Sequence, residues 1–320
     1  MIGEAMRDAA RSWLLVAACL PWWTAACGDD DAPVEIDATP PMIDAADDGT
    51  CRLPAGTAFT SAYFRMLPAK DGYDLDGDDE VDNALGNMPR FALDSINDGF
   101  AQSIDDGAFL AIAYVSEWSD PPTPSDPDVG FHIFGAIDGD EPPDPSNNKE
   151  LDTPLYVSLS HFDVNCESTV RADEASITDY ELTARRQRWG FPIGDFELVF
   201  ARAIVVATID ETLTSIDGRL GGVIPFCSLS GFAAPGELPG SALDLLVNNA
   251  AIREAVSPDM DLDGDGLEQV IGDGIGILEC IDGDGTVISG SDCPCDPAIA
   301  DGYSFAADLG GPRAMLLGVR

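Results

Sequence analysis

The chain has 320 residues, a formal net charge of −42 at pH 7 and a hydrophobic fraction of 45%. This charge would indicate disorder in a chain of low apolar content, but the apolar fraction and long strand-like runs predict a packed core. Such an excess of carboxylates excludes electrostatic attraction to nucleic acid, so we expect no nucleic-acid partner. Asp far outnumbers Glu, which points to cation-binding loops or, alternatively, to a surface adapted to a salty habitat.

The first 26 residues have the features of an export signal. Arg7 and Arg11 precede a short apolar run at 13–26 that is too short to span a bilayer, and small residues lead to Cys27. The stretch resembles a bacterial lipoprotein signal, whose cysteine is lipidated and becomes the new N-terminus. The resemblance implies a signal peptide over 1–26, a membrane anchor on Cys27, and delivery to the outer membrane or cell surface. Secretion with cleavage nearby and an uncleaved anchor are the alternatives.

Residues 27–50 are predicted to be an acidic, disordered tether. This segment is rich in Asp and Pro and has no basic residue, so it cannot bury enough apolar area to offset chain entropy. Residues 51–320 are predicted to form a single globular domain, whose length is within the range of β-rich architectures.

The first predicted helix begins near Pro89 and ends near Asp105, with Gly107 beyond it. Its core-facing stripe has four-residue spacing and consists of Ala92, Ile96, Phe100 and Ile104. A second helix is predicted at 241–256, where Ser241 provides a cap.

Strand-like runs lie between these helices, at 108–118, 131–137, 154–164, 177–184, 196–216 and 219–226. Asp217 and Gly218 predict a two-residue hairpin turn between the last two runs, because type I′ turns need positive φ at both central positions. Loops rich in Pro and Asp separate the runs, with the spacing of a sandwich rather than of βαβ units. The predicted fold class is therefore α+β, with an antiparallel β-sandwich-like core, flanking helices and Asp-rich loops.

Two segments have the alternating carboxylates of a calcium loop. Oxygens at the first, third and fifth positions of a tight loop converge on one ion, and a residue of positive φ at the sixth reverses the chain. Asp79 occupies that sixth position in the first segment and Gly266 in the second. The predicted metal ligands are Asp74, Asp76, Asp78 and Asp82 in the first loop, and Asp261, Asp263, Asp265 and Asp273 in the second.

The second segment resembles an EF-hand or dockerin-type loop, which implies calcium as the ligand. The twelfth position, where an EF-hand supplies a bidentate Glu, is Leu85 in the first loop and Gly272 in the second. We therefore expect weak structural sites, with dissociation constants on the order of 10⁻⁴ to 10⁻³ M. The DGDG pattern recurs nineteen residues later with Asp282, Asp284 and Asp292, and Cys280 replaces the first ligand of that copy. A series of Asx turns without metal is the alternative.

Six cysteines remain when Cys19 of the leader and the proposed lipid carrier Cys27 are set aside, and an exported chain can pair them as disulfides. The candidates are Cys51, Cys166, Cys227, Cys280, Cys293 and Cys295. Their connectivity is not readable from the sequence. A bridge from Cys280 to Cys293 or Cys295 would close a short loop, and a zinc site in that cluster is the alternative.

The favoured interpretation is a lipid-anchored, calcium-stabilised surface protein with a binding or structural role and no catalysis. An exported hydrolase of unknown substrate is one alternative, based on His161 and Asp163 sharing one face of a predicted strand. A binder of anionic glycans is another, because Arg185–Trp189 concentrates basic residues beside a tryptophan that could stack on a sugar.

Overall fold

The computed structural model describes residues 51–119, 122–193, 196–225, 256, 259–262, 279–281, 287–289 and 302–320. The predicted leader, lipid site and tether therefore lie outside the described residues, as do residues 241–255 of the predicted second helix. No helix in the described part of the chain is both long and apolar enough to span a membrane.

The described residues are dominated by β-strands with one longer α-helix. The helix, α1, covers Arg90–Asp105, and short 3₁₀ helices cover Ala84–Asn87, Pro145–Asn147 and Leu159–His161. The strands are β1 (Gly56–Thr60), β2 (Tyr63–Met66), β3 (Ala111–Ser116), β4 (Gly130–Asp138), β5 (Thr153–Val157), β6 (Glu174–Thr178), β7 (Glu181–Ile193), β8 (Phe196–Ile209), β9 (Ser215–Pro225), β10 (Glu279–Ile281), β11 (Val287–Ser289) and β12 (Gly302–Val319).

Strand β12 is 18 residues long and belongs to two groups of strands. Its second half pairs with β1 and β5, and the order β1-β3-β4-β5-β12 returns to β1, which closes a ring of hydrogen-bonded strands. Its first half pairs with β2 and β9, and the sheet continues through β8 and β7 to β6. The pairing of β5 with β12 is parallel, and the other named pairings among the described strands are antiparallel.

The two groups of strands pack face to face around one hydrophobic core. Phe131 of β4 meets Trp189 of β7 edge to face, with ring centroids 5.8 Å apart, and both side chains are buried. Large fully buried side chains such as Phe59 and Phe200 come from both groups. The predicted α+β class with a sandwich-like antiparallel core is confirmed, with the parallel β5–β12 pair as an addition.

The first predicted helix is confirmed, and it covers an edge of the sheet. Leu93 and Ile104 are buried, while Ile96 and Phe100 pack against the core from partly buried positions. The Asn97 side chain accepts a hydrogen bond from the Met66 amide at 2.8 Å and donates one to the Met66 carbonyl at 3.1 Å. The Asn97 side chain therefore provides hydrogen-bond partners for the backbone N–H and C=O groups of Met66 at the edge of β2, as a neighbouring strand would.

The predicted hairpin turn at Asp217–Gly218 is wrong, because both residues lie within β9. The turn comes earlier, where the Asp210 carboxylate accepts hydrogen bonds from the Thr212 amide at 2.9 Å and the Thr214 hydroxyl at 3.1 Å. Such an Asx turn reverses the chain without an Asn-Gly or Asp-Gly pair. Gly218 instead allows close strand packing, since an added Cβ would lie 2.3 Å from the Cβ of Ala207.

Two predicted strand runs are shorter or divided in the structure. The run at 154–164 ends as a strand at Val157 and continues into a 3₁₀ turn. The run at 177–184 is divided by a hairpin at Asp179 and Tyr180, which adopt positive φ angles of 51° and 63°. In both places the apolar pattern predicts burial correctly but does not reveal that the chain changes direction.

Candidate metal centre

The loop that carries the first Asp series is fixed onto the face of strands β8 and β9. Tyr73 and Asp82 pair at its base, where the Asp82 amide donates to the Tyr73 carbonyl at 2.8 Å. The Tyr73 ring lies directly over Gly221, where an added Cβ would be 2.3 Å from the ring. Its hydroxyl donates to the Arg219 carbonyl at 3.0 Å. The loop therefore projects its acidic tip from a rigid base.

Asp74, Asp76 and Asp78 form an exposed cluster that could hold a metal ion. One carboxylate oxygen from each lies within 4.8 Å of the others. The Asp74 carboxylate accepts hydrogen bonds from the amides of Gly77 at 2.6 Å and Asp79 at 3.1 Å, which curls the loop around it. The structure thus brings together the first, third and fifth positions of the predicted loop.

Asp79 adopts the left-handed conformation that a calcium loop needs at its sixth position. Its φ is 70°, a value that glycine adopts easily and that Asp tolerates better than most other residues. The chain therefore reverses after Asp78 although no glycine is present there. Gly77, with φ of 89°, supplies a further residue of positive φ in the same turn.

Asp82, the fourth predicted ligand, lies at the base of the loop rather than in the exposed cluster. It is only 9% exposed, and its carboxylate accepts a hydrogen bond from the Leu75 amide at 2.5 Å. Burial raises the pKa of Asp82, the Leu75 amide opposes that rise, and the negative charges of Asp76 and Asp259 add to it. Asp82 is therefore in a region of unfavourable negative potential.

The start of the second predicted loop lies beside the base of the first. Leu75 from the first loop and Leu262 from the second pack against one apolar cluster, formed by Ala201, Val223 and Met260. Leu75 and Leu262 thus pack on the same apolar cluster, although about 190 residues separate them in sequence.

Hydrogen bonds from Arg202 and Ser304 help to hold this second segment in place. Arg202 has a positive φ of 49° at a β-bulge in β8, and its guanidinium donates to the Asp261 carbonyl at 3.1 Å. Asp259 accepts hydrogen bonds from the amide and hydroxyl of Ser304. Burial raises the pKa of Asp259, and the hydrogen bonds from Ser304 oppose that rise. A second partly buried carboxylate therefore adds negative charge behind the exposed cluster.

The remaining predicted ligands are not among the described residues. These are Asp263, Asp265, Asp273, Asp282, Asp284 and Asp292. Of the predicted loop ligands, the structure thus describes Asp74, Asp76, Asp78, Asp82 and Asp261.

Two of the six predicted disulfide cysteines pair with each other within the described region. Cys51 and Cys166 form a bond across a sequence separation of 115 residues. This bond confirms that a disulfide is present, as predicted for these two cysteines, and it connects the start of the described region to the loop that follows β5. Cys227, Cys293 and Cys295 are outside the described residues, and of Cys280 only the backbone is described.

His161 and Asp163, the acid–base pair of the hydrolase hypothesis, do not lie on one strand face as predicted. His161 lies in a 3₁₀ turn and is buried, whereas Asp163 is exposed and accepts hydrogen bonds from the amides of Asn165 and Glu167, each at 2.8 Å. The strand alternation that would have put them on one face is absent, because β5 ends at Val157.

A serine–histidine contact that the sequence did not indicate lies nearby. The Ser116 hydroxyl is 3.2 Å from Nε2 of His132, across 16 residues of sequence. Burial lowers the pKa of His132 to about 4, so the imidazole is neutral at pH 7 and could act as a base towards a nucleophile, although a weak one. Ser116 is fully buried, however, so its hydroxyl cannot reach a substrate in this conformation. The contact therefore serves packing rather than nucleophilic attack.

The basic segment Arg185–Trp189 does not present its tryptophan to solvent. Trp189 is 1% exposed and packs against Phe131, so it cannot stack on a bound sugar. Arg185 and Arg188 are exposed, and Arg186 lies 3.9 Å from the carboxylate of Asp173. Strand alternation alone does not explain this split, because Arg185 and Trp189 are four residues apart in β7 and would share one face of the sheet.

No family model, curated protein or solved structure matches this chain. The class of site is therefore defined by its own geometry: an exposed, oxygen-only cluster on a tight loop, with buried carboxylates behind it. Oxygen donors of this kind suit hard divalent cations rather than thiolate-binding metals.

Proposed function

We propose that the chain is an exported, lipid-anchored surface protein without catalytic activity, whose β-rich domain serves a binding or structural role and is stabilised by calcium. The convergence of Asp74, Asp76 and Asp78 within 4.8 Å is the observation that carries the metal part of this proposal. Three carboxylates held this close repel one another, and a divalent cation would turn that repulsion into attraction.

The surroundings of the cluster favour a structural role for the ion. Asp82 is buried at the base of the loop, Asp259 is partly buried, and the charge of Asp259 contributes to the raised pKa of Asp82. A bound cation would lower the electrostatic cost of keeping these carboxylates ionised. Because the loop base also packs on strands β8 and β9, calcium binding at the tip would stabilise the sheet as well as the loop.

A calcium-dependent unfolding experiment tests this part of the proposal. At 10 mM calcium, a site of the expected affinity would stabilise the domain by about 1.4 to 2.7 kcal/mol, which raises the melting temperature by several degrees. The melting curve should be compared in calcium, in chelator, and in magnesium at equal ionic strength. Magnesium separates site binding from general screening of the acidic surface.

A pair of matched variants locates the effect. Asp76→Asn with Asp78→Asn should remove most of the calcium-dependent stabilisation. Asp94→Asn with Asp98→Asn on the exposed face of α1 removes the same charge and should leave the calcium response unchanged. Equal stabilisation of both double variants by calcium, or an equal response to magnesium in the wild type, would contradict a calcium site in this loop.

The membrane anchor is supported by the leader, with its basic start, short apolar run and small residues before Cys27. Fractionation of cells expressing the wild type should recover the protein with membranes, and a Cys27→Ala variant should lose both lipid labelling and membrane association. Cys19→Ala, which alters the other cysteine of the leader, is the matched control and should behave as the wild type. Lipid labelling that persists in the Cys27→Ala variant would contradict the anchor.

A further inference from the structure

The segment that follows β5 is hydrogen-bonded to strand β4 at both of its ends. At its start the Ser158 amide donates to the Gly135 carbonyl at 3.1 Å, and at its end the Ala172 amide donates to the Phe131 carbonyl at 2.7 Å. We refer to residues 158–172 as the strap. Between these two points the strap carries Cys166, which is bonded to Cys51.

His161 holds the departing end of the strap. Its Nε2 accepts a hydrogen bond from the Gly135 amide at 2.7 Å, and the side chain is buried. Because β5 ends at Val157, the imidazole replaces the carbonyl of a further strand residue as the acceptor for β4. This bond requires Nε2 to be unprotonated, so the geometry selects the neutral imidazole.

His132 holds the returning end. Its Nδ1 is 2.9 Å from the Ser168 hydroxyl on the strap, and its Nε2 is 3.2 Å from the Ser116 hydroxyl on β3. The ring of Phe134 lies between the two histidines, stacked on His132 with centroids 5.2 Å apart and 5.9 Å from the ring of His161. The only two histidines of the chain therefore flank one aromatic ring at the two ends of the strap.

Burial is the main factor that opposes protonation of His132 and His161. Burial is the largest cause that lowers the pKa of His132 to about 4, with Arg171 and Arg186 adding to it and Glu117 opposing it. For His161 burial alone lowers the pKa to about 4. Glu117 and Arg171 also pair with each other through two hydrogen bonds, at 2.9 and 2.7 Å.

We propose that the strap is an acid-sensitive latch, closed while His132 and His161 are neutral and released from β4 when both gain a proton. A proton on Nε2 of His161 would direct an N–H group at the N–H group of Gly135 and leave both without an acceptor. A charged His132 would be buried and close to the positive charge of Arg171, and both factors oppose its protonation in the closed strap.

The opening is local because other links survive acid. The Cys51–Cys166 bond does not titrate, and the pairing with Arg171 lowers the pKa of Glu117, so that ion pair persists into acidic solution. Strands β7, β8 and β9 contain no histidine. Acidification should therefore free the strap before it unfolds the sheet.

Hydrogen exchange measured by NMR on the whole protein, corrected for the intrinsic pH dependence of exchange, tests the latch between pH 7 and pH 4. The amides of Gly135 and of the strap should lose at least tenfold in protection as the pH falls through this range, while those of β8 and β9 keep theirs. A variant with His132→Gln and His161→Gln offers neutral acceptors that do not titrate, and its strap protection should not change with pH.

Nitrogen chemical shifts of the imidazoles in the wild type provide a second readout that does not depend on the variant folding. Nε2 of His161 should have the shift of an unprotonated acceptor at pH 7, and its protonation should coincide with loss of strap protection. The latch is refuted if the strap stays protected after both histidines are protonated, or if strap and sheet lose protection together. An equal pH response of the wild type and the glutamine variant would also refute it.

Discussion

Removing the Cys51–Cys166 bond should destabilise the domain by several kilocalories per mole. We expect this of a variant with Cys51→Ala and Cys166→Ala, which keeps small apolar side chains at both positions. The bond spans 115 residues, and cross-linking a loop of that length removes chain entropy from the unfolded state equivalent to roughly 5 kcal/mol at 25 °C. Typical losses on removing a natural disulfide are about 2 to 5 kcal/mol, so the expected effect is at the upper end.

Urea unfolding at pH 7 provides the measurement. The free energy of unfolding should fall by about 3 to 5 kcal/mol, and the dependence on urea should become steeper, because an unfolded chain without the cross-link exposes more surface. Peptide mapping of the wild type should first recover residues 51 and 166 in one linked pair. A loss below about 1 kcal/mol with an unchanged urea dependence would refute the view that this bond restricts the unfolded state.

Three further predictions concern the core and its titration. Histidine in the unfolded chain binds a proton below about pH 6.5, whereas His132 and His161 in the native chain do so only near pH 4. The free energy of unfolding should therefore be highest above pH 6.5 and fall by about 3 kcal/mol for each histidine as the pH drops towards 4. Urea unfolding at pH 7 and 4.5 should show a smaller fall for His161→Gln than for the wild type, and an identical fall would contradict this prediction. Trp189→Ala should cost about 3 to 5 kcal/mol in the same assay, because the ring is 1% exposed in the core, and a near-neutral change would show that it is not packed there. Gly218→Val should destabilise the domain by about 1 to 3 kcal/mol or more, because the new side chain would clash with Ala207. Gly99→Ala in α1 has open space around it and should stabilise the domain by up to about 1 kcal/mol. Effects of the same sign in the two variants would contradict this packing.

The main elements of the fold could be predicted because they have strong local patterns. Helix α1 has apolar residues at helical spacing, and strands β3, β4, β5, β8 and β9 overlap apolar runs that turn residues separate. Most of β7 was not predicted as a strand, because its segment Arg185–Trp189 is rich in basic residues. The position of the β8–β9 turn could not be predicted from dipeptide preference, since the side chain of Asp210 makes the turn while Gly218 serves packing. The sequence contains both signals, and only the cross-strand register decides between them.

The candidate site was predictable to the extent that it is local. The i, i+2, i+4 spacing of Asp74, Asp76 and Asp78 was sufficient to predict that their carboxylates converge. The apolar cluster on which both Leu75 and Leu262 pack depends on contacts between residues distant in sequence, and such contacts cannot be predicted from local spacing. The contact between Ser116 and His132 could not be predicted from local spacing either, because the two residues lie on different strands, β3 and β4. Whether that contact can serve catalysis depends on burial, which the sequence does not show.

The long strand β12 has a consequence for how the chain acquires its structure. It hydrogen-bonds with β1, β2, β5 and β9, so strands synthesised far earlier lack a neighbour until the ribosome has made residues 302–319. Partners so distant in sequence make assembly slow and leave the earlier strands exposed in the meantime. The sheet therefore cannot be completed until β12 has been synthesised, and the order of synthesis limits the order of folding.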